Sequence, residues 1–400
     1  MTKEPKESPR HALLTSRPRF SNRTAWPREP NPLARAIEAR RASGEPLFDL
    51  TTSNPTRVEL DQSMFPHAFP IGPYEPAPLG LASAREAVSA YYAHRGIDVD
   101  PSRIVIVAST SEAYGYLFRV LCEVGDAVLT PTPSYPLFEF LASLADVAPV
   151  PYTLAFDGSW FLDRSSLPGP APHTKAAIVV SPNNPTGSLL DADDLAFLDQ
   201  NLPADCALIS DEVFADYVDG SFGYKRASHI RDQARLTFSL NGLSKVAGLP
   251  QHKLGWIVAS GPGDLVAEAI ERLEIVADTY LSVGTGIQRA LPDILRASAP
   301  FQASLDARIR QNLAILDRSL AGTALRIRKR DGGWSAFIDL PRTESDEAWA
   351  VDFVEREGAV VHPGYLFGAT HGIVVSLIVP THLFDEGINR IVRHVARTLG

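Results

Sequence analysis

The chain has 400 residues, of which 45% are apolar and 21% charged, and its net charge is −9. That composition excludes collagen-like, coiled-coil and wholly disordered chains, and without a basic block it leaves no electrostatic footprint for nucleic acid. Two cysteines, Cys122 and Cys206, are too few for a disulfide scaffold or a zinc cluster and fit a reducing, cytoplasmic setting, and no apolar run reaches the roughly 18 residues of a membrane helix.

Residues 1–30 carry Arg10, Arg17, Arg19, Arg23 and Arg28 among prolines and acidic residues, with no apolar centre of a secretory signal, and read as an extended or disordered arm. A short helix near Pro32–Ala42 opens a Pro-rich segment, 31–70, that joins a smaller domain. Seven short apolar runs follow: Arg103–Ala108, Asp126–Thr130, Val147–Tyr152, Ala176–Ser181, Cys206–Ser210, Leu236–Leu240 and Leu254–Ala259. Several are continuous rather than alternating, the pattern of strands buried on both faces. Helical patterns at Ser111–Glu123, ended by Gly125, and Asp191–Asn201, ended by Pro203, lie between them. The expected fold class is α/β, a large mostly parallel seven-stranded sheet domain over 71–290. Near residue 290 the pattern changes to a long amphipathic helix, Ala303–Leu320, then short strands (Trp334–Leu340, Val360–His362, Ile373–Ile378) and helices (Asp346–Glu357, Phe384–Leu399). That reads as a smaller α+β domain over 291–400.

Open parallel sheets bind ligands beyond the carboxyl ends of their strands. After the first strand, Ser109-Thr110-Ser111 either caps a helix or holds a phosphate on backbone N–H groups. After the second, Tyr135 stands between Pro133 and Pro136, placed rigidly as a stacking ring or as part of a turn. The fourth is followed by Ser181-Pro182-Asn183-Asn184-Pro185-Thr186-Gly187, a sharply defined loop whose amides can donate to a ligand oxygen. Asp211-Glu212 follows the fifth, where a buried carboxylate needs a cation or a shared proton. Lys245 follows the sixth, a candidate Schiff-base amine, and Lys253 opens the seventh. Each alone has a plain structural reading. Their order matches what pyridoxal 5′-phosphate needs: a phosphate cradle, a stacking ring, an amide, a carboxylate for the pyridine nitrogen and a lysine.

With these residues in place the chain resembles the class I/II aminotransferases, fold type I pyridoxal-phosphate enzymes, from about residue 45 onward. The matching strings are Tyr74 with Gly80 and Arg85-Glu86-Ala87, then Ser109–Ala113, Pro133–Pro136, Asn183–Gly187, Asp211–Val213, Ser244-Lys245 with Gly255-Trp256, and His362-Pro363-Gly364 with Phe367-Gly368. The resemblance implies a homodimer with interface active sites, acting on a small-molecule amino donor and a keto acid acceptor. It implies that Lys245 forms the internal aldimine and carries the proton, Asp211 pairs with the pyridine nitrogen and Asn184 donates to the phenolic oxygen. Tyr135 would stack on the ring, Ser109, Thr110, Ser111 and Lys253 would hold the phosphate, and Tyr74 would reach the phosphate of the neighbouring subunit.

Four positions depart from the family pattern. Phe214 stands where a Tyr is usual, Gly242 where a Ser often binds the phosphate, and Lys253 where an Arg is usual. Val374 stands where an Arg holds the substrate carboxylate. Arg57, with Asn54 in the same loop, is the candidate replacement on the substrate side. The expected activity is amino-group transfer between an amino acid or amine and a keto acid. The missing Arg keeps a lyase, decarboxylase, racemase or oxidase on the same scaffold as the alternative. A DNA-binding regulator is disfavoured, because residues 1–40 are too short and Pro-rich for its extra domain.

Overall fold

A computed structural model describes residues 30–54, 58–60, 76–169, 173–220, 223–230 and 235–400. The first seven apolar runs all form strands, labelled here with one short addition: β1 Ile104–Val107, β2 Ala127–Thr132, β3 Ala148–Phe156, β4 Trp160–Leu162, β5 Thr174–Val180, β6 Ala207–Asp211, β7 Thr237–Gly242 and β8 Gly255–Ser260. They make one sheet in the order β1-β8-β7-β6-β5-β2-β3-β4. The central pairs β3/β2, β2/β5, β5/β6 and β6/β7 are parallel, and β8 runs antiparallel to both neighbours. The eighth strand, β4, is a short antiparallel hairpin partner of β3 at the sheet edge.

Both faces of the sheet are covered, which explains the continuous apolar runs. Along β1, Ile104 and Ile106 enter one core cluster, and Val105 and Val107 enter the other. Trp256 and Val258 alternate with Ile257 and Ala259 along β8 in the same way. The first cluster continues through the helices Ala82–Ala93 and Thr285–Leu320 into the C-terminal part, reaching Phe353, Ile373 and Val395. That part is built on a four-stranded antiparallel sheet of Arg326–Ile327, Ser335–Asp339, Gly372–Ser376 and His362–Pro363, in that spatial order. N-terminal residues join it: Phe48–Asp49 pairs in parallel with Ala359–Val360, and Leu50 is fully buried.

Three helices differ from expectation. The long helix begins at Thr285, not Ala303, and runs 36 residues through Pro292 and Pro300; position 290 lies within it. Each interior proline costs about 3 kcal/mol. The stripe Ile287, Leu291, Ile294, Phe301, Leu305 and Ile309 is almost wholly buried and outweighs that cost, at roughly 1.5–3 kcal/mol per side chain. The 18-residue helix Gly263–Tyr280 was not expected, although Val266, Ala269, Leu273 and Ala277 bury at helical spacing. The helix after β1 spans Thr110–Leu121 and stops before Gly125, because Cys122 is already extended (φ −120°, ψ 141°).

Candidate active site

The carboxyl ends of β1, β2, β5, β6 and β7 share one edge of the sheet. Because β8 is antiparallel, its start at Gly255 lies at that same edge, so Lys253 is carried there too. A cavity of about 520 Å³ opens above this edge. Ser109, Thr110, Ser111, Tyr135, Asn184, Asp211, Lys245 and Lys253 all line it. Of the remaining expected residues, Asn54 is exposed and its neighbour Ser53 lines the cavity instead. Tyr74 and Arg57 lie outside the described residues.

Asp211 ends β6 and is buried. Tyr114 Oη donates to its Oδ2 at 3.0 Å and the Val213 N–H to its Oδ1 at 3.3 Å. Burial outweighs these bonds and pushes the carboxyl up to about 6, with nearby Lys245 pulling the other way. Lys245 sits in the four-residue helix Leu243–Val246 directly after β7. Its Nζ lies 4.8 Å from the centre of the Trp334 ring and 5.6 Å from that of Phe214. Desolvation lowers this amine to about 8.

The shift predicts that, in protein without cofactor, labelling of Lys245 by trinitrobenzenesulfonate rises through about pH 8 rather than above pH 10. A midpoint near that of free lysine would contradict the buried placement. By linkage, a lysine lowered on folding disfavours the folded state at neutral pH, and this cost is relieved as pH rises from about 8 to 10.5.

Ser109 is the N-cap of Thr110–Leu121, its Oγ accepting from the Glu112 N–H at 3.1 Å. Ser109 therefore caps the helix and also borders the cavity. Asn184 Oδ1 accepts from Ser335 Oγ at 3.4 Å, which leaves the amide N–H groups as donors for a ligand oxygen. Its neighbour Asn183 is structural: its amide donates to Pro133 O and Thr186 Oγ1 while its Oδ1 accepts from Ser134 Oγ at 2.7 Å.

Gly187 closes this loop at φ +68°, where an added Cβ would lie 2.5 Å from Gly332 O and 2.8 Å from Arg330 Cβ. Gly187→Ala is expected to destabilise the protein by about 2 kcal/mol or more, read as a lowered denaturation midpoint, because neither backbone nor neighbour can yield cheaply.

Behind the edge, Glu212 is wholly buried. Its Oε1 accepts from Ser210 Oγ, Ser239 Oγ and the His229 N–H at 2.7–3.0 Å, and burial raises the carboxyl to about 7.

All four departures line the cavity. Phe214 lines the cavity with no hydroxyl to offer. Tyr217 does not replace it: its Oη donates to the Lys245 backbone oxygen at 2.7 Å and so anchors the lysine's main chain. Gly242 faces Gly255 across β7 and β8, and a Cβ on it would meet Gly255 Cα at 3.0 Å and Leu254 O at 3.1 Å, so serine would crowd the start of β8. Lys253 holds a left-handed backbone (φ 49°), uncommon for a residue with a side chain. Val374 lines the cavity.

The sequence reading gave no role to Tyr114, Trp334, Ser335, His362 or Ser376, all of which shape the site. Tyr114 was within reach, one helical turn beyond Ser111. The others come from the C-terminal sheet or, for Trp334, from the residue just before its strand Ser335–Asp339, and no local spacing reveals their placement over the cavity.

The backbone closely follows those of several solved aminotransferases. Alanine aminotransferase from Pyrococcus furiosus superposes with a TM-score of 0.82 at 20% identity over 95% of this chain and 100% of that one. An aspartate aminotransferase mutant from Thermus thermophilus gives 0.77 at 20% identity, over 94% of this chain and 100% of that one. In sequence, the glutamate-pyruvate aminotransferase AlaA of Escherichia coli K12 is 32% identical over 222 residues, 54% of each chain. Alanine aminotransferase of Mycobacterium bovis is 29% identical over 269 residues, 66% of this chain and 58% of that one. In sequence, the chain thus matches little more than half the length of these last two relatives.

The fold and the strand-end residues define a fold type I enzyme of the pyridoxal-phosphate-dependent kind. The profile of "Aminotransferase class I and II" matches residues 63–391, and the chain belongs to that family.

The residues present fit the cofactor. A buried carboxylate bonded to one tyrosine and one amide is left wanting a cation, which a protonated pyridine nitrogen supplies. The hydroxyl-rich helix start and Lys253 offer donors and positive charge to a phosphate.

Proposed function

We propose that the protein is an aminotransferase that moves an amino group between an amino acid or amine and a keto acid. The observation that carries this reading is the gathering of Asn184, Asp211, Lys245, Lys253 and Ser109–Ser111 around one cavity at one sheet edge. The bound cofactor supplies an electron sink for the substrate carbon that carries the nitrogen. Lys245 Nζ would hold it covalently and would take the proton from that carbon; an amine lowered to about 8 is suited to do so near neutral pH. Asp211 Oδ2, oriented by Tyr114, would keep the ring nitrogen protonated. Asn184 would donate to the ring oxygen, Tyr135 would pack on the ring, and Ser109, Thr110, Ser111 and Lys253 would hold the phosphate.

The named relatives are transferases, which supports transfer over elimination, decarboxylation, racemisation or oxidation. We place the large domain over 71–290 and the small domain over 291–400 with 31–70 joined to it, as the pairing of Phe48–Asp49 with Ala359–Val360 supports. The working unit in this reading is a cytoplasmic homodimer, and the free thiols of Cys122 and Cys206 fit a reducing compartment.

The test incubates the holoenzyme with a panel of donors and a keto acid, and follows both products by mass spectrometry. Transfer with parallel-line, two-step kinetics is expected. Release of ammonia or carbon dioxide without a new amino acid would contradict it.

A further inference from the structure

Lys245 stands among aromatic rings. From the short helix Leu243–Val246 its Nζ lies over the Trp334 ring, 4.8 Å from the centre, and over that of Phe214 at 5.6 Å. These two rings meet edge to face at 5.5 Å, and Tyr217 meets Trp334 in the same way at 5.2 Å. Tyr217 also holds the Lys245 main-chain oxygen, so one aromatic group fixes the lysine's backbone and flanks its amine.

Trp334 is itself held in place. The Gly333 N–H donates to Tyr217 O at 2.8 Å, and Gly332 bridges to Val218. A Cβ on Gly332 would lie 2.6 Å from Tyr217 O, so glycine permits this close approach. Arg330 braces the segment, paired with Asp219 at 2.9 Å and donating to Gly333 O at 2.6 Å. An aromatic face within about 6 Å attracts an ammonium, indole most strongly and more so where water is excluded, whereas a neutral amine gains little. Burial disfavours the Lys245 ammonium and Asp211, at the end of β6, favours it. Of the other titratable groups that line the cavity among the described residues, Tyr135 is raised and His362 lowered by burial, so both are uncharged near pH 7, and Lys253 is a cation.

We infer that Trp334, with Phe214 beside it, is a positioning residue for proton transfer: its indole face seats the ammonium that Lys245 becomes on taking the proton from the donor's carbon. The C–H electron pair stays with that carbon, and Lys245 returns to a neutral amine when the proton is passed on. This rests on the transfer reading and deepens it.

The test labels the full chain without cofactor with trinitrobenzenesulfonate across pH and reads the Lys245 peptide by mass spectrometry. Trp334→Leu is expected to move the labelling midpoint down by about one pH unit, a tenfold loss of proton affinity, and Trp334→Phe by about half of that or less. Phe214→Leu, which removes the more distant ring, is expected to move it down by less than Trp334→Leu does, and decides alone if Trp334→Leu does not fold. In the holoenzyme, Trp334→Leu is expected to lower kcat for the best donor of the panel about tenfold, and Trp334→Phe to stay within about threefold of the parent. An unmoved or raised midpoint overturns the proposal, because the rings would then only fill space or exclude water, and a lower kcat with an unmoved midpoint overturns it equally. Either result leaves transfer intact. Labelling needs no turnover, so if no donor yields product the transfer reading fails and the midpoints still decide whether the rings seat the ammonium.

Discussion

Lys245→Ala is expected to lower amino-group transfer by at least about 10⁴-fold, because it removes both the covalent anchor and the proton carrier. No described neighbour takes over. Lys253 belongs to a different strand end, and Tyr217 offers its hydroxyl to the Lys245 main chain rather than to the cavity. The fold itself should not suffer. The amine is desolvated beside the Phe214 and Trp334 rings and held well below its ordinary value of 10.5, so its removal relieves a cost. The cofactor-free variant should therefore melt at the same temperature as the parent or about 1–3 °C higher. A markedly lower melting temperature would mean that the loss of activity reports misfolding rather than chemistry.

Asp211→Asn is expected to reduce transfer by about 10²–10³-fold, the scale of removing one buried electrostatic group aimed at the reacting system. The amide keeps the shape and still accepts from Tyr114 but cannot hold a proton on the ring nitrogen. Stability should rise or stay level. The parent carboxyl is raised to about 6 by burial, so below that pH it binds a proton that the unfolded chain, with a value near 3.8, does not. The parent is thus penalised above about pH 6 and recovers stability as pH falls from about 6 toward 3.8, and the variant loses this dependence. Denaturant melts at pH 4 and pH 7 read the difference. A variant with full activity would remove Asp211 from the reaction.

Lys245 and Asp211 were legible in the sequence because a parallel sheet converts chain order into spatial neighbourhood. Each strand delivers its next few residues to the same edge, so strings far apart in the chain meet. Lys253 was legible as a nearby cation, but its arrival at that edge depends on the reversal of β8, which a continuous apolar run does not encode. The helix through Pro292 and Pro300 was cut short in the reading because local propensity weighs against proline, whereas burial of Leu291, Ile294 and Phe301 decides the outcome. Trp334 and Ser376 reach the cavity through tertiary contacts alone. Val374 was visible as a departure, but its consequence waited on the register that sets it beside Phe337 and His362.

The central claim is that Lys245 carries the cofactor. The most direct measurement reduces the holoenzyme with borohydride, digests it and maps the cofactor's mass to a peptide. The account predicts the adduct on the peptide containing Ser244-Lys245, and its absence from Lys245→Ala. An adduct on Lys253, on any other lysine, or on none would contradict it.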